Sequence, residues 1–317
     1  MSEGNARDSN APANAAPEYL DDSTYVMVEG AELYAEQVGP ATAPAVYYLH
    51  GGLGYSSHSF RELMADDLEA WRMVYADVRG GGRSYAAAGT SGDLPTLADD
   101  VTAIMDTCEV ESAVLLGHGF GAMIAVQAAL DHPERVTGLV LVNPWLSLPV
   151  LAERLLAAAE AASGLTADLE GDGSDDEVKP PTADAAATAD AAFSLMNPKA
   201  LFDALQFPTA TSRLRLEHVD AEALLGPQEE DETDAVWGLE VVSRLPELAA
   251  LGTQVIVIAG EQDGTSYPEQ VEAALALLPD ALFSALSGGH YPWLDDPETF
   301  TDVLHEALRR ETGPKVA

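Results

Sequence analysis

Cysteine and positive charge are both scarce in this chain. Cys108 is the single cysteine among 317 residues, so an internal disulfide is excluded and the cysteine count gives no sign of an oxidising compartment. Only 15 residues are Lys or Arg, against 53 Asp or Glu, and the formal net charge is −38. A surface this negative disfavours nucleic acid and anionic membrane faces as partners. Because the hydrophobic content of 47% is ordinary, we interpret the acids as decoration of a folded surface, with an acidic pocket for cationic substrates as the alternative.

Long apolar runs and metal-binding patterns are also missing. No stretch of eighteen apolar residues occurs, and the N-terminus has neither the basic region nor the apolar segment of a signal peptide, so we expect a cytoplasmic protein without a membrane partner. The chain contains no His-Glu-x-x-His spacing and no cysteine cluster, and the sequence therefore predicts no metal and no cofactor. Residues 1–22 lack any periodicity, and we expect them to form a disordered tail.

From Ser23 onwards, short apolar segments alternate with helical ones. Two extended runs around Glu29 and Gly30 are compatible with a hairpin. The strands predicted after the hairpin are almost continuously apolar, and they are Val46–His50, Met73–Asp77, Ala113–Leu116, Gly138–Val142, Gln254–Ala259 and Ala281–Leu286. The helices predicted between and after them are Ser59–Ala70, Leu97–Cys108, Phe120–Asp131, Pro268–Leu278 and Pro297–Arg310. This alternation predicts an α/β fold with a doubly wound, mostly parallel sheet.

The alternation stops between residues 145 and 243. Helical patterns in this interval are Pro149–Ala162, Pro198–Leu205 and Val219–Leu225. A stretch at about 164–192 holds many acids among Ala, Thr, Gly and Pro, which is typical of a flexible loop. We therefore expect a core built from residues 23–144 and 244–312, with a helical cap at 145–243 that contains an acidic flexible insertion.

Glycine-rich segments follow five of the predicted strands, and each alone is compatible with a simple tight turn. Gly117–Gly121 (GHGFG) lies where a strand meets a helix, and small residues at both of its ends allow a sharp turn that exposes the central residue. His50–Gly54 (HGGLG) can present a backbone N–H to an oxyanion. Asp77–Ser84 (DVRGGGRS) does not open a helix directly, so a dinucleotide fingerprint is not indicated. The other two segments are Gly260–Gly264 and Gly288–Trp293.

The order and spacing of these segments make the chain resemble a known family. The strings HGGLG, DVRGGGRS, GHGFGAM, GEQDG and GGHYPWLDDPE resemble those of the α/β-hydrolase family, and within it the proline iminopeptidase-like branch. The resemblance covers residues 23–310 apart from the cap. It implies Asp263 as the acid and His290 as the base of a catalytic triad, with the N–H groups of Gly52 and Phe120 as the oxyanion hole.

At the position where this family keeps its nucleophilic serine, the sequence has Gly119, which carries no oxygen to acylate. The first interpretation is a protein that binds ligand without serine-type turnover, through natural loss or an introduced substitution. In the second, the His290–Asp263 pair acts as a general base on water, or directly on the substrate as in a lyase or oxygenase. In the third, another hydroxyl replaces the serine, and the candidates are Ser56, Ser57, Ser59 and Ser84.

The cap is expected to select the substrate. Trp145 and Trp237 are its candidate substrate-binding residues, and packing within the cap is the alternative for both. Other apolar candidates are Phe193, Met196, Phe202 and Phe207. Acids that could capture a free α-amino group are Glu217, Asp220, Glu229, Glu230 and Asp231, with a solvated surface as the alternative. The resemblance implies hydrolysis of a small ester, amide or N-terminal-proline peptide, and the alternative is a non-catalytic binding or regulatory protein.

Overall fold

A nine-stranded sheet forms the centre of the computed structural model, which describes residues 18–52, 55–87, 89–90, 92–164, 184–222, 233–266 and 268–313. The strands are β1 Tyr19–Val28, β2 Ala31–Pro40, β3 Ala45–Leu49, β4 Arg72–Ala76, β5 Tyr85–Ala86, β6 Ala113–His118, β7 Val136–Val142, β8 Val255–Gly260 and β9 Leu282–Leu286. Their order is β1-β2-β4-β3-β6-β7-β8-β9, with β5 paired to β2. Strand β2 is antiparallel to β1, β4 and β5, and the other pairs are parallel. The predicted doubly wound, mostly parallel fold is confirmed.

Helices cover both faces of the sheet. They are α1 His58–Met64, α2 Leu94–Thr107, α3 Phe120–Asp131, α4 Leu148–Ser163, α5 Ala185–Leu195, α6 Pro198–Gln206, α7 Ala210–Glu222, α8 Leu245–Leu251, α9 Glu269–Leu277, α10 Pro292–Asp295 and α11 Pro297–Thr312. Short 3-10 helices cover Thr233–Gly238 and Val242–Arg244. None of the helices in the described part of the chain is long and apolar enough to cross a membrane.

Two separate cores lie on the two faces of the sheet. Every residue of β6 and of β8 is buried, which is why these strands read as continuous apolar runs. Tyr47 and Tyr48 are neighbours in β3 and belong to opposite cores, because successive side chains of a strand point to opposite faces. The parallel strands all end at the same edge of the sheet, so the loops that follow β3, β6, β8 and β9 meet there.

The N-terminal boundary differs from the sequence interpretation, which placed residues 1–22 in a disordered tail. Strand β1 begins at Tyr19, and Tyr19–Asp22 pair with Gln37–Pro40 of β2. An edge strand pairs through its backbone and exposes one face, so polar side chains here do not prevent strand formation. The tail prediction is therefore wrong for residues 19–22, and residues 1–17 lie outside the described residues.

Residues 145–243 connect β7 to β8 and are called the inserted segment below. Its two ends are held together by an antiparallel bridge between Ser147 and Glu240. Helix α5 begins at Ala185, inside the stretch 164–192 that the sequence analysis expected to be a flexible acidic insertion. The Asp184 side chain accepts a hydrogen bond from the Ala187 N–H at 3.0 Å, and alanines of α5 pack against α4, so this part is helical. Residues 165–183 and 223–232 lie outside the described residues.

Candidate active site

Gly119 lies at the turn where β6 becomes α3. Its backbone has φ 51° and ψ −117°, and this positive φ favours glycine. A Cβ atom on Gly121 would lie 2.2 Å from the Leu49 carbonyl oxygen, and one on Gly117 would lie 2.6 Å from the Ala122 Cα. The flanking glycines are therefore required for the close packing of this turn against β3 and α3.

The open side of Gly119 faces His290. A Cβ atom built on Gly119 would lie 3.1 Å from His290 Nε2. The His290 side chain is buried, and its Nε2 atom has no hydrogen-bond partner within the described residues. A side-chain oxygen at position 119 would therefore come within reach of this nitrogen.

Asp263 and His290 form a buried pair at the ends of β8 and β9. His290 Nδ1 lies 2.7 Å from Asp263 Oδ2, and both residues are 1% exposed. The other carboxylate oxygen, Oδ1, accepts hydrogen bonds from the N–H and the hydroxyl of Thr265. Because the carboxylate can only accept, it holds the proton on Nδ1 and leaves the Nε2 lone pair directed towards Gly119.

Two further side chains complete the surroundings of this pair. The Trp145 ring stacks on His290 at 5.1 Å between centroids, and its Nε1 donates to the Thr265 hydroxyl at 3.1 Å. Thr265 was not among the site residues predicted from the sequence. A hydroxyl two residues after a buried aspartate is the pattern of a local side-chain turn, and this signal could have identified it.

Two other buried histidines order the loops around the pair. His118 Nε2 lies 2.9 Å from the His290 carbonyl oxygen and donates to it, and burial holds the pKa of His118 well below its ordinary value. His50 Nε2 accepts the Val78 N–H at 2.8 Å, and burial likewise lowers the pKa of His50. Both rings are neutral, and their bonding nitrogens connect backbone segments, which is a structural role.

The two expected oxyanion donors lie at the start of α3 and in the loop after β3. Phe120 is the first residue of α3, so its N–H belongs to the first turn, where helical N–H groups have no intrahelical acceptor. Gly52 has φ 81° and borders the cavity described below. Leu53 and Gly54 of the HGGLG string lie outside the described residues.

The DVRGGGRS string folds around a buried carboxylate. Asp77 accepts hydrogen bonds from the Ser57 hydroxyl at 2.7 Å and from Arg83 Nε at 2.7 Å. Burial acts to raise the pKa of Asp77, but Arg83 and its other partners hold that pKa below the usual value. The Ser84 hydroxyl donates to the Asp77 carbonyl oxygen at 2.7 Å. Two of the alternative hydroxyls, Ser57 and Ser84, are thus bonded to Asp77 instead of His290.

A cavity of about 300 Å³ lies between this edge of the sheet and the inserted segment. Its walls carry five aromatic rings, and its lining residues are Gly52, Tyr55, Trp145, Leu151, Phe193, Lys199, Phe202, Asp203, Gln206 and Trp237. Trp145 and Trp237, the two expected substrate-binding residues, both line it. The sequence did not single out Tyr55, Leu151, Lys199, Asp203 and Gln206, because their sequence context is that of ordinary helix and loop residues.

The charged side chains of this cavity neutralise one another. Lys199 Nζ bonds to Asp203 at 2.8 Å and to the exposed Glu217 at 2.7 Å, and Arg213 bonds to the same Glu217 at 3.0 Å. The hydrogen bonds from Asp203 and Glu217 raise the pKa of Lys199. Among the described residues, no cluster of His, Cys, Asp and Glu side chains could hold a metal ion.

Comparison with known proteins agrees with this fold. Residues 44–297 match the model of the alpha/beta hydrolase fold family, and the chain belongs to that family. It is 32% identical to a proline iminopeptidase-related protein of Thermus thermophilus, with a TM-score of 0.77 over 93% of this chain and 99% of that one. It is 28% identical to the Caulobacter vibrioides protein named "Putative carbamate hydrolase RutD", over 84% of this chain and 91% of that protein. An esterase from Rhodococcus sp. ECU1013 shares the fold, with a TM-score of 0.65 and 21% identity over 90% of this chain and 97% of that one.

Proposed function

We propose that the protein binds a small neutral ester or amide in the cavity and hydrolyses it with water as the nucleophile. His290 Nε2 carries this proposal, because this buried acceptor lacks a described protein partner and faces Gly119. Glycine cannot form an acyl-enzyme, whereas a base and oxyanion donors do not require a serine. In this scheme Asp263 holds the imidazole in its acceptor tautomer.

The reaction runs in two steps through one tetrahedral intermediate. His290 Nε2 takes a proton from water as the water oxygen attacks the substrate carbonyl carbon, and the N–H groups of Gly52 and Phe120 stabilise the oxyanion. Collapse breaks the bond to the leaving group, which receives the proton from Nε2 and departs as an alcohol or amine. Loss of a triad nucleophile leaves a rate of roughly 10³–10⁴ over the uncatalysed reaction, so we expect slow turnover.

The cavity favours a neutral substrate over an N-terminal-proline peptide. Capture of a free α-amino group needs an unpaired carboxylate, and Asp203, the carboxylate among the described lining residues, is bonded to Lys199. The five rings favour an apolar or aromatic group beside the scissile bond. The names of the proline iminopeptidase-related protein and of the putative carbamate hydrolase point to cleavage of a C–N bond next to a carbonyl group, which belongs to the same reaction class as amide hydrolysis. A short proline peptide remains the alternative substrate.

A second function is ligand binding without turnover, which Gly119 itself favours. To separate the two, hydrolysis of p-nitrophenyl esters and proline p-nitroanilide is measured for the unsubstituted chain, Gly119→Ser and His290→Ala, in low and in molar salt. Slow turnover by the unsubstituted chain that His290→Ala abolishes supports the proposal. Saturable ester binding with no turnover above His290→Ala supports the binding protein. If Gly119→Ser also fails to hydrolyse every ester, the site assignment is wrong.

A further inference from the structure

We infer that the inserted segment positions the His290–Asp263 pair, through the C-terminal end of α6 and through Arg154 of α4. The Gly264 N–H donates to the Leu205 carbonyl oxygen at 2.8 Å, and the His290 N–H donates to the Gln206 carbonyl oxygen at 2.9 Å. Consecutive carbonyls of one helix end thus accept from both loops that carry the pair. This inference concerns the geometry of the pair and does not depend on turnover.

The C-terminal end of α6 can bond to both loops because its last carbonyl groups are free to accept hydrogen bonds. The last carbonyls of an α-helix have no intrahelical N–H donor and must find partners elsewhere. In α6, which ends at Gln206, those partners are backbone N–H groups of the core. Gln206 is 3% exposed, and a buried carbonyl that lost its donor would cost free energy. The helix end and the two loops therefore stabilise one another.

Two glycines allow the helix end to approach the loops. A Cβ atom on Gly264 would lie 3.0 Å from the Leu205 carbonyl oxygen. On Gly289, the residue before His290, a Cβ atom would lie 2.1 Å from the Gln206 carbonyl oxygen and 2.6 Å from Pro208 Cδ. Any larger side chain at position 289 must therefore push the inserted segment away from the histidine loop.

Two more bonds from the inserted segment reach the same loops. Arg154 Nε in α4 donates to the Gly264 carbonyl oxygen at 2.9 Å, so both backbone polar groups of Gly264 bond to the inserted segment. The Ser212 hydroxyl in α7 donates to Asp295 Oδ1, whose other oxygen accepts the Gly289 N–H at 2.7 Å. Three helices of the inserted segment thus act on the two loops.

Asp263 and His290 lie on loops that follow different strands of the sheet. Asp263 follows β8 and His290 follows β9, so the 2.7 Å contact between their side chains depends on how the two loops are placed relative to each other. Helix α6 bridges these loops and also lines the cavity through Phe202, Asp203 and Gln206. Leu205 and Gln206 are therefore positioning residues. The same nine-residue helix, α6, forms part of the cavity wall and supports the loop that carries His290.

The first test uses Arg154. In the full-length chain labelled with 15N-histidine, the ring nitrogen shifts of His290, assigned with His290→Ala, report the ratio of its two neutral tautomers. We expect Arg154→Ala to move this ratio about three- to tenfold towards the Nε2–H form, because the loss of one hydrogen bond changes an equilibrium constant by about that factor. The control is Glu269→Gln, which removes the Glu269 charge paired with Arg154 Nη1 at 2.6 Å but keeps the bond to Gly264. The control should leave the ratio unchanged.

The second test uses Gly289→Ala, with Gly238→Ala as its control. A Cβ atom on the exposed Gly238 of the inserted segment meets nothing within 4 Å. Gly289→Ala should shift the His290 tautomer ratio at least as far as Arg154→Ala, and Gly238→Ala should not. If Gly289→Ala does not fold, the Arg154 and Glu269 pair of variants decides alone. A tautomer ratio in Arg154→Ala equal to that of the unsubstituted chain overturns the inference.

Discussion

The surroundings of His290 and the walls of the cavity are built in different ways. Around His290, both oxygens of Asp263 are hydrogen-bonded, and glycines pack directly against backbone atoms. In the cavity, the Phe193 ring lies 6.5 Å from that of Phe202 and 5.9 Å from that of Trp237, and contacts are made by side chains. Contacts between backbone atoms fix the positions of the chain segments, whereas a side chain in the cavity wall can be substituted without moving the backbone. The geometry of the His290–Asp263 pair is therefore fixed more rigidly than the shape of the cavity.

The largest expected effect tests the geometry of the turn at position 119. Gly119→Ser places a hydroxyl next to His290 Nε2, and we expect p-nitrophenyl ester hydrolysis to rise by up to about 10⁶-fold over the unsubstituted chain, because loss of a triad serine costs a factor of that order. A side chain at this positive φ is strained, so the melting temperature should fall at the same time. Steady-state kinetics and thermal unfolding measure both effects.

Gly119→Ala is the matched control, because it has the same Cβ and the same strain without the hydroxyl. It should lose stability like the serine variant and gain no activity. An equal gain in Gly119→Ala would mean that the side chain acts by filling space, and the assignment of position 119 would have to be abandoned.

The second prediction compares a glycine packed against backbone at the turn that carries Gly119 with an exposed glycine of the inserted segment. Gly121→Ala places a methyl group 2.2 Å from the Leu49 carbonyl oxygen, and we expect the free energy of unfolding to fall by about 3 kcal/mol or more. The same change at the exposed Gly238 meets nothing within 4 Å and should alter it by less than about 0.5 kcal/mol. Urea unfolding measures both. Similar losses in the two variants would remove the contrast in rigidity.

The third prediction separates substrate selection from the reaction geometry, in the Gly119→Ser background. Trp237 lines the cavity and has no ring contact to His290 among the described residues, so Trp237→Leu should raise KM for p-nitrophenyl butyrate about tenfold and leave kcat unchanged. Trp145 lines the cavity and also stacks on His290, so Trp145→Leu should change both constants. A fall in kcat for Trp237→Leu would contradict the separation of substrate selection from the reaction geometry.

The smallest effect concerns Asp220, in helix α7, which packs against α1. Burial raises the pKa of this carboxyl group to about 6, although a hydrogen bond from Ser59 opposes the shift. Because the folded pKa is the higher one, the stabilising protonated form is fully present below about pH 4 and is lost as the pH rises through 6. Asp220→Asn should therefore gain about 1–3 kcal/mol at pH 7 and nothing at pH 4, measured by urea unfolding. Asp302 is exposed, and Asp302→Asn removes an equal charge at pH 7. This control should show no pH-dependent gain in the free energy of unfolding.

Local sequence was sufficient for much of the fold, and the resemblance of its motifs to a known family supplied the candidate pair. Gly119 and Asp263 follow the buried strands β6 and β8, and such turns are readable because glycine and apolar runs act over a few residues. His290 follows β9, which is mostly exposed, and its role was implied by the family resemblance. The segment Tyr19–Asp22 was missed, since its strand structure comes from pairing with a partner and not from its own composition. The start of α5 was missed for a similar reason, because its Ala-rich face is stabilised by packing on α4.

The sequence by itself determined the order of strands and helices, the acidic surface and the absence of an oxygen at position 119, because these depend on composition, periodicity and covalent structure. Tertiary structure alone decided that Thr265 and Trp145 surround the His290–Asp263 pair, that Lys199 is neutralised beside the cavity, and that the end of α6 bonds both loops. These contacts join residues far apart in the chain. They form only when the sheet brings the loops to one edge and the inserted segment closes over them.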